Sequence, residues 1–307
     1  MTGSKFDMVT ILGPTASGKT ELAVNLAYKL NGEVISADSR QIYRRMDLGT
    51  GKDLTEYRIN GTEIPYHLID IAEPGYQYNV FEFQRDFLNV YQQLKEKGAF
   101  PVMCGGSGMY LEAILKGYKL IQVPVNEERR SELRLLSLEA LKEILRSYKS
   151  IHNTSDIENV KRAVRAIEIE EYCAIHPEAD LSFPPINSLI VGVRIEREVR
   201  RRRITARLKQ RLADGMIDEV QELLNGGLHP DDLTYYGLEY KYITNYLSGF
   251  LSYDELFEAL NIAIHQFAKR QMTWFRKMER EGFKIRWIDS ELRTEDKTAL
   301  IIKWLEG

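Results

Sequence analysis

The sequence predicts an α/β protein: a P-loop NTPase-like, mainly parallel sheet flanked by helices, with an inserted all-helical domain. Three observations lead there. Short apolar runs, several of them β-branched, alternate with longer helical patterns. A GxxxxGKT segment follows the first of these runs directly. Between about Lys119 and Pro185 the strand signal vanishes while helical periods continue.

Strands are expected near Met8 to Leu12, Glu33 to Ala37, His67 to Ile71, Pro101 to Cys104, Ser188 to Arg194 and Lys284 to Ile288. A helix from Val80 to Lys97 puts Val80, Phe83, Phe87, Leu88, Tyr91 and Leu94 on one face, the spacing that buries one side against a sheet. In the insertion, Leu133, Leu136, Leu141, Ile144 and Leu145 form one helical pattern, and Ile157, Val160, Val164 and Ile167 another. The polar face of the second carries Glu158, Lys161, Arg162 and Arg165, which by itself reads as ion-paired surface. The stretch Ala179 to Asn187, with Pro184 and Pro185, returns the chain to the sheet. The expected division is therefore residues 1–118 as the first part of a catalytic core, 119–187 as the helical insertion and 188–307 as the second part of the core with basic helices.

Composition narrows the function classes. The chain has 307 residues, 44% hydrophobic and 28% charged, with 42 basic against 45 acidic side chains. That is an ordinary globular balance, large enough for a sizeable core. No apolar stretch approaches the roughly 18 residues a membrane helix needs, and the N-terminus has no signal-peptide layout, so a cytoplasmic protein with no membrane role is expected. Cys104 and Cys173 are too few for a disulfide framework or zinc site and are expected as small buried hydrophobes. Charge is unevenly placed. Arg194 to Arg211 holds nine basic residues against Glu196 and Glu198, and a second basic stretch runs from Lys269 to Arg286. Local fields steer a polyanion, so a phosphate-rich partner fits despite the net −3; a solvated helix face is the plainer alternative.

The phosphate loop is Gly13-Pro14-Thr15-Ala16-Ser17-Gly18-Lys19-Thr20, between a strand and a strong helical run. Its glycines let successive N–H groups point inward, the helix adds its positive end, and Lys19 adds a full charge. The Thr20 hydroxyl is placed to reach Mg2+. ATPases and kinases usually add an acid closing a hydrophobic strand, and the candidates for it are poor: His67-Leu68-Ile69-Asp70 is short, and the run ending at Gly105-Gly106 has none. That weakens γ-phosphate chemistry. Glu33 to Ala37 ends at Asp38, and the carboxyl ends of adjacent strands in an open α/β sheet face the same crevice, so Asp38 is expected near the loop. Its alternatives to catalysis are an N-cap for a short helix starting at Ser39 or an outer-sphere magnesium contact.

GPTASGKT, then SADSRQIYRRMDLGTGKD from Ser36 to Asp53, PYHLID from Pro65 to Asp70, GGSGMYL from Gly105 to Leu111, RAIEI from Arg165 to Ile169 and KRQMTWFR from Lys269 to Arg276 together resemble the tRNA dimethylallyltransferase family. The blocks follow the family's order over nearly the whole chain. The resemblance implies that the loop, Gly13 to Thr20, binds dimethylallyl diphosphate, with Mg2+ as cofactor. The prenyl group then goes to N6 of the adenosine just 3′ of the anticodon. It gives Asp38 the role of general base, with Lys19 and Thr20 at the leaving group. It places Asp38, Ser39, Arg40, Gln41 and Ser107 around a base swung out of the RNA, as base-modifying enzymes require. Arg162 and Arg165 fall close to the RNA, the insertion resembles the domain that embraces the anticodon stem-loop, and a monomer is expected.

Two stretches depart from the family. Where it often carries Gly-Tyr-Lys or Gly-Tyr-Arg after an Arg or Gln, this chain reads Tyr235-Tyr236-Gly237-Leu238-Glu239-Tyr240-Lys241, with Glu239 in place of the glycine, so no role is carried over there. The insert lacks the Asp-Pro segment and has Ser150 to Asp156 instead. None of the five histidines pairs at metal-ligand spacing, and His67 is expected to be structural. Trp274 and Phe275 are expected to pack a long helix from Tyr253 onto the sheet. The rivals are an enzyme prenylating AMP or ADP, a small-molecule kinase with an Arg-rich lid, and an RNA-binding regulator with a vestigial loop.

Overall fold

A computed structural model describes residues 5–148, 157–176 and 183–307. The segment Ser150 to Asp156 noted above, including His152, and the start of the Ala179 to Asn187 stretch lie outside the described residues. The chain forms two compact units, Met1–Tyr118 with Pro184–Gly307, and Lys119–Phe183.

The larger unit begins with β1 (Met8–Leu12), α1 (Lys19–Leu30) and β2 (Gly32–Ala37). A small hairpin follows, β3 (Arg58–Ile59) and β4 (Thr62–Glu63), then β5 (Tyr66–His67), α2 (Val80–Lys97), β6 (Phe100–Gly105) and α3 (Gly108–Leu115). The smaller unit supplies α4 (Glu127–Arg134), α5 (Leu138–Tyr148) and α6 (Val160–Ile175). The chain returns with β7 (Ser188–Arg194), α7 (Arg197–Ala213), α8 (Met216–Asn225), α9 (Pro230–Leu233), α10 (Leu238–Leu247), α11 (Tyr253–Arg280), β8 (Arg286–Asp289) and α12 (Thr294–Glu306). The six-stranded sheet runs β5-β2-β6-β1-β7-β8, every pair parallel. Both faces are covered, which is why β1 and β2 are buried along their whole length and read as apolar runs rather than alternation.

The expected helix from Val80 to Lys97 forms with those ends. Asn79 caps it through a reciprocal box with Glu82, and Gly98 closes it at φ 73°. The third expected strand is cut to two residues, because Leu68 and Asp70 take φ values of 61° and 55° and leave the extended region. The last begins at Arg286 rather than Lys284. The β3–β4 hairpin was not expected, although Asn60-Gly61 at its turn, φ 50° and 80°, is the sequence such a turn demands. His67 bonds Glu33 across β5 and β2, with Nε2 and Oε2 2.7 Å apart, so it is used structurally.

In the smaller unit Leu133, Leu141, Leu145, Ala163, Val164, Ala166 and Ile167 form a separate apolar core. Beside it the buried Glu168 accepts from Arg130 Nε at 2.8 Å, Arg165 Nη1 at 2.8 Å and the Asn126 amide at 3.1 Å. Burial alone would raise this carboxyl, but those donors outweigh it and hold it below the usual range. Its contribution is therefore complete above the ordinary carboxylate pKa and is lost as pH falls through the lowered value. We expect Glu168→Ala, which strands two guanidinium groups, to destabilise this unit by about 3 kcal/mol. Hydrogen exchange of the α6 amides reads this directly, and unchanged protection at neutral pH would refute it.

Candidate active site at the phosphate loop

After β1 the chain curls through Gly13 to Gly18 and enters α1 at Lys19. Ala16 and Gly18 take φ values of 63° and 80°, the left-handed turns that bring the backbone round. No side chain caps α1. Its first amides, on Lys19 and Thr20, have the helix dipole behind them, and among the described residues they donate to no acceptor. The Lys19 ammonium and the Thr20 hydroxyl are half-buried and likewise make no hydrogen bond or ion pair there. The earlier half of the loop is committed elsewhere. Pro14 has no N–H, and the Thr15 amide donates to Gln271 Oε1 at 2.9 Å. The open donors are thus concentrated towards Gly18, Lys19 and Thr20, while Gly13, Pro14 and Thr15 shape the turn. Ser17 Oγ is buried without a partner.

Asp38 lies at the end of β2, but β2 does not neighbour β1. β6 stands between them, and its terminal Gly105-Gly106 closes the gap. A Cβ on Gly105 would stand 2.2 Å from the Ala37 carbonyl oxygen, and one on Gly106 would stand 3.2 Å from that of Gly13. The two glycines thus let the loop after β1 and the end of β2 press on opposite sides of one backbone step.

Asp38 is half-buried. Its Oδ1 accepts from the Arg40 amide at 3.0 Å in a local turn, and no helix starts at Ser39, so the N-cap alternative falls. The Ser39 amide donates to Ser107 Oγ at 2.9 Å, and the two hydroxyls lie 3.2 Å apart. Ser36 Oγ donates to Gln41 Oε1 at 3.2 Å, and Gln41 Nε2 to the Gly51 carbonyl at 3.3 Å. Arg40 lies over the Tyr235 ring, 5.3 Å from its centroid. Asp38, Ser39, Arg40, Gln41 and Ser107 therefore form one shelf. Beyond it the Asp47, Leu48 and Gly49 amides all donate to Glu219, and the buried Lys52 pairs with Asp47 and Asp70, which fixes the loop that carries the shelf.

A small pocket opens beside Thr15 and Ala16. Ile204, Leu208, Met216 and Ile264 give it apolar walls, and Arg207, Arg211 and Glu239 line the rest. Burial pushes Glu239 above the usual carboxylate range and Arg211 below the usual guanidinium range. The sequence assigns no site role to the 235–241 stretch, counts Arg211 only within a basic stretch and carries Gln271 only within the block KRQMTWFR; the fold brings all three to the loop. Glu239, standing where the family's glycine would fall, and Gln271, inside a block shared with the family, were the visible signals.

The two arginines expected on the insert are engaged within their own unit. Arg162 pairs with Glu158 one turn back, and Arg165 donates through Nη2 to the Val123 carbonyl at 3.0 Å and through Nη1 to Glu168. Arg165 is thus half committed to holding the unit, while Arg162 is exposed. On α7, Arg197, Arg201, Arg202 and Arg207 are exposed, and Arg203 pairs with Glu291 at 3.0 Å. Phe275 is buried with its ring centroid 6.5 Å from that of Trp287 on β8, the packing expected of it, whereas Trp274 lies against Gly108 at the start of α3. Cys104 is buried, its thiol pushed up to about 12 by burial; Cys173 is only partly buried, because the apolar core of its unit ends at Ile167. Among the described residues no group of three or more His, Cys, Asp or Glu side chains could hold a metal ion, and no helix is long and apolar enough to cross a membrane.

This arrangement has known counterparts. The sequence profile of the IPP transferases matches residues 41–278. The chain is 64% identical over 301 residues to tRNA dimethylallyltransferase 2 of Bacteroides fragilis, covering 98% of each, and 58% identical over 302 residues to tRNA dimethylallyltransferase 1 of Parabacteroides distasonis, again covering 98% of each. A tRNA isopentenylpyrophosphate transferase of Bacillus halodurans superposes with a TM-score of 0.72 at 32% identity, over 99% of this chain and 96% of that one. A eukaryotic dimethylallyltransferase captured acting on tRNA gives 0.79 over 97% and 78% of the two chains; at 20% identity that likeness speaks for the fold alone.

Proposed function

The chain belongs to the IPP transferase family, and from that premise we propose how it works as a tRNA dimethylallyltransferase: it moves a dimethylallyl group from its diphosphate to N6 of the adenosine 3′-adjacent to the anticodon. The observation that carries this reading is the Gly105-Gly106 step, with an uncapped, cationic phosphate loop on one side and, on the other, a carboxylate that forms no ion pair among the described residues. A donor held by its diphosphate and an acceptor held at the shelf then meet over that step.

An adenine N6 is a weak nucleophile because its lone pair is delocalised into the ring. As N6 forms its bond to the allylic carbon, Asp38 takes the N6 proton. The carbon–oxygen bond breaks, and its electron pair leaves with the diphosphate. Lys19 and the open amides of the first turn of α1 stabilise that growing charge. The described residues supply no acidic cage for a metal. The Thr20 hydroxyl fits as one ligand to Mg2+ carried by the diphosphate, and the ion, when bound, neutralises part of the leaving group's charge. We assign the prenyl chain to the pocket beside Thr15 and Ala16 on its lining of four apolar side chains, with Arg207 and Arg211 beside them.

Ser39, Gln41 and Ser107 hold the extruded base by its edge, and Arg40, stacked on Tyr235, presents its guanidinium towards the RNA. Arg162 meets the RNA backbone. We expect Arg162→Ala to raise the Michaelis constant for tRNA about threefold to tenfold and to flatten its salt dependence, with donor affinity unchanged. Its surface pair with Glu158 costs little to lose. An effect on donor affinity alone would remove Arg162 from the RNA side.

The direct test incubates the protein with dimethylallyl diphosphate, magnesium and tRNA, and follows prenylated adenosine by mass spectrometry with AMP and ADP as competing acceptors. Modified tRNA with unmodified nucleotides is the expected result. Prenylated AMP or ADP would favour the nucleotide enzyme, ADP released from ATP with a phosphorylated product would favour a kinase, and intact donor would leave only RNA binding.

A further inference from the structure

A single side chain, Gln271 of α11, joins the two halves of the site. It is 7% exposed. Its Oε1 accepts from the Thr15 amide in the phosphate loop at 2.9 Å, and its Nε2 donates to the Gly106 carbonyl at 2.9 Å. Those bonds span 256 and 165 residues of sequence. The next residue, Ser107, accepts from the Ser39 amide, and Ser39 adjoins Asp38. A continuous path therefore runs from the phosphate loop through Gln271, Gly106, Ser107 and Ser39 to the carboxylate. Neighbouring contacts hold it from both sides: a Cβ on Gly106 would stand 2.4 Å from Gln271 Nε2, and Trp274, one turn along α11, packs on Gly108.

We propose that Gln271 is a positioning residue for prenyl transfer: it fixes the distance between the loop that grips the donor and the shelf that presents the acceptor. The inference rests on the reaction assigned above. An amide suits the task chemically. It offers one acceptor and one donor to two backbone groups, so it sets both partners at hydrogen-bond distance from a rigid, buried plane and adds no charge beside the diphosphate. It also occupies the Thr15 amide, which leaves the open donors at the start of α1 as the ones facing the leaving group. Because Gln271 touches neither substrate in this arrangement, its loss should disturb alignment rather than affinity.

The test is a steady-state and single-turnover comparison of Gln271→Ala with the parent protein, using dimethylallyl diphosphate and an anticodon stem-loop. A misalignment of about 1 Å costs on the order of a hundredfold in rate, so kcat should fall by about that factor while the Michaelis constants for donor and RNA stay within about threefold. Gln271→Glu keeps the volume and the acceptor for Thr15 but loses the donor to Gly106; it should show the same split with about a tenfold loss, and it serves if the alanine variant does not fold. Gly106→Ala drives a methyl into Gln271 and should imitate the split, with less than its full effect in the Gln271→Ala background. A kcat within threefold of the parent in a folded variant would overturn the inference, as would a loss confined to donor affinity or strictly additive losses in the double variant. An inactive parent protein would instead overturn the reaction assignment.

Discussion

Asp38→Asn should retain tRNA binding within about twofold of the parent protein while the single-turnover rate of prenyl transfer falls by a hundredfold or more, the scale of a lost general base. The asymmetry follows from what the carboxylate touches. Its only hydrogen bond among the described residues is the one from the Arg40 amide, and an asparagine oxygen accepts that bond equally well. The turn, the Ser39–Ser107 contact and the stacking of Arg40 on Tyr235 therefore survive the exchange. What the amide cannot do is take a proton from N6. Filter binding to the stem-loop and quenched-flow prenyl transfer separate the two effects. If the transfer rate were unaltered, another group would have to receive the proton, and Asp38 would keep only a part in holding the base.

The chemistry of this protein was easier to read than its geometry, for a physical reason. The phosphate loop is contiguous: every group proposed to grip the diphosphate comes from the thirteenth to the twentieth residue, and the strand and helix that flank it are local patterns. Asp38 was legible for the same reason, as the polar end of an apolar run. Its place beside the loop was inferred on the assumption that β1 and β2 are neighbours, whereas β6 separates them, and sheet order is set by long-range pairing that no local pattern carries. The reading survives because Gly105 and Gly106 make the separation small. Gln271, Arg211 and Glu239 lie in helices far down the chain whose periodicity reports only that they are helices. The strand assigned to His67–Ile71 fails differently. Its apolar residues are right for a strand, but Asp70 is drawn to the buried Lys52, and the backbone turns left-handed to reach it. The hairpin at Asn60-Gly61, by contrast, carried its own signal in two residues.

Lys19→Ala tests the opposite half of the reaction and should act through the donor alone. The ammonium pairs with no carboxylate among the described residues, so its removal leaves no stranded partner and should shift the melting temperature little. The loss then falls where the charge was used. Stabilisation of a leaving group by one preorganised cationic donor is worth about a hundredfold to a thousandfold, so kcat/KM for dimethylallyl diphosphate should drop by that factor with the Michaelis constant for tRNA unchanged. Inorganic diphosphate, which presents the same charge without the prenyl chain, should inhibit the variant about a hundredfold more weakly than the parent. Lys19→Arg should recover only part of the loss, because a planar guanidinium does not reproduce the compact point charge of an ammonium. Inhibition by diphosphate that did not change on removing the lysine would place the leaving group elsewhere, and the opening at the N-terminus of α1 would need another ligand.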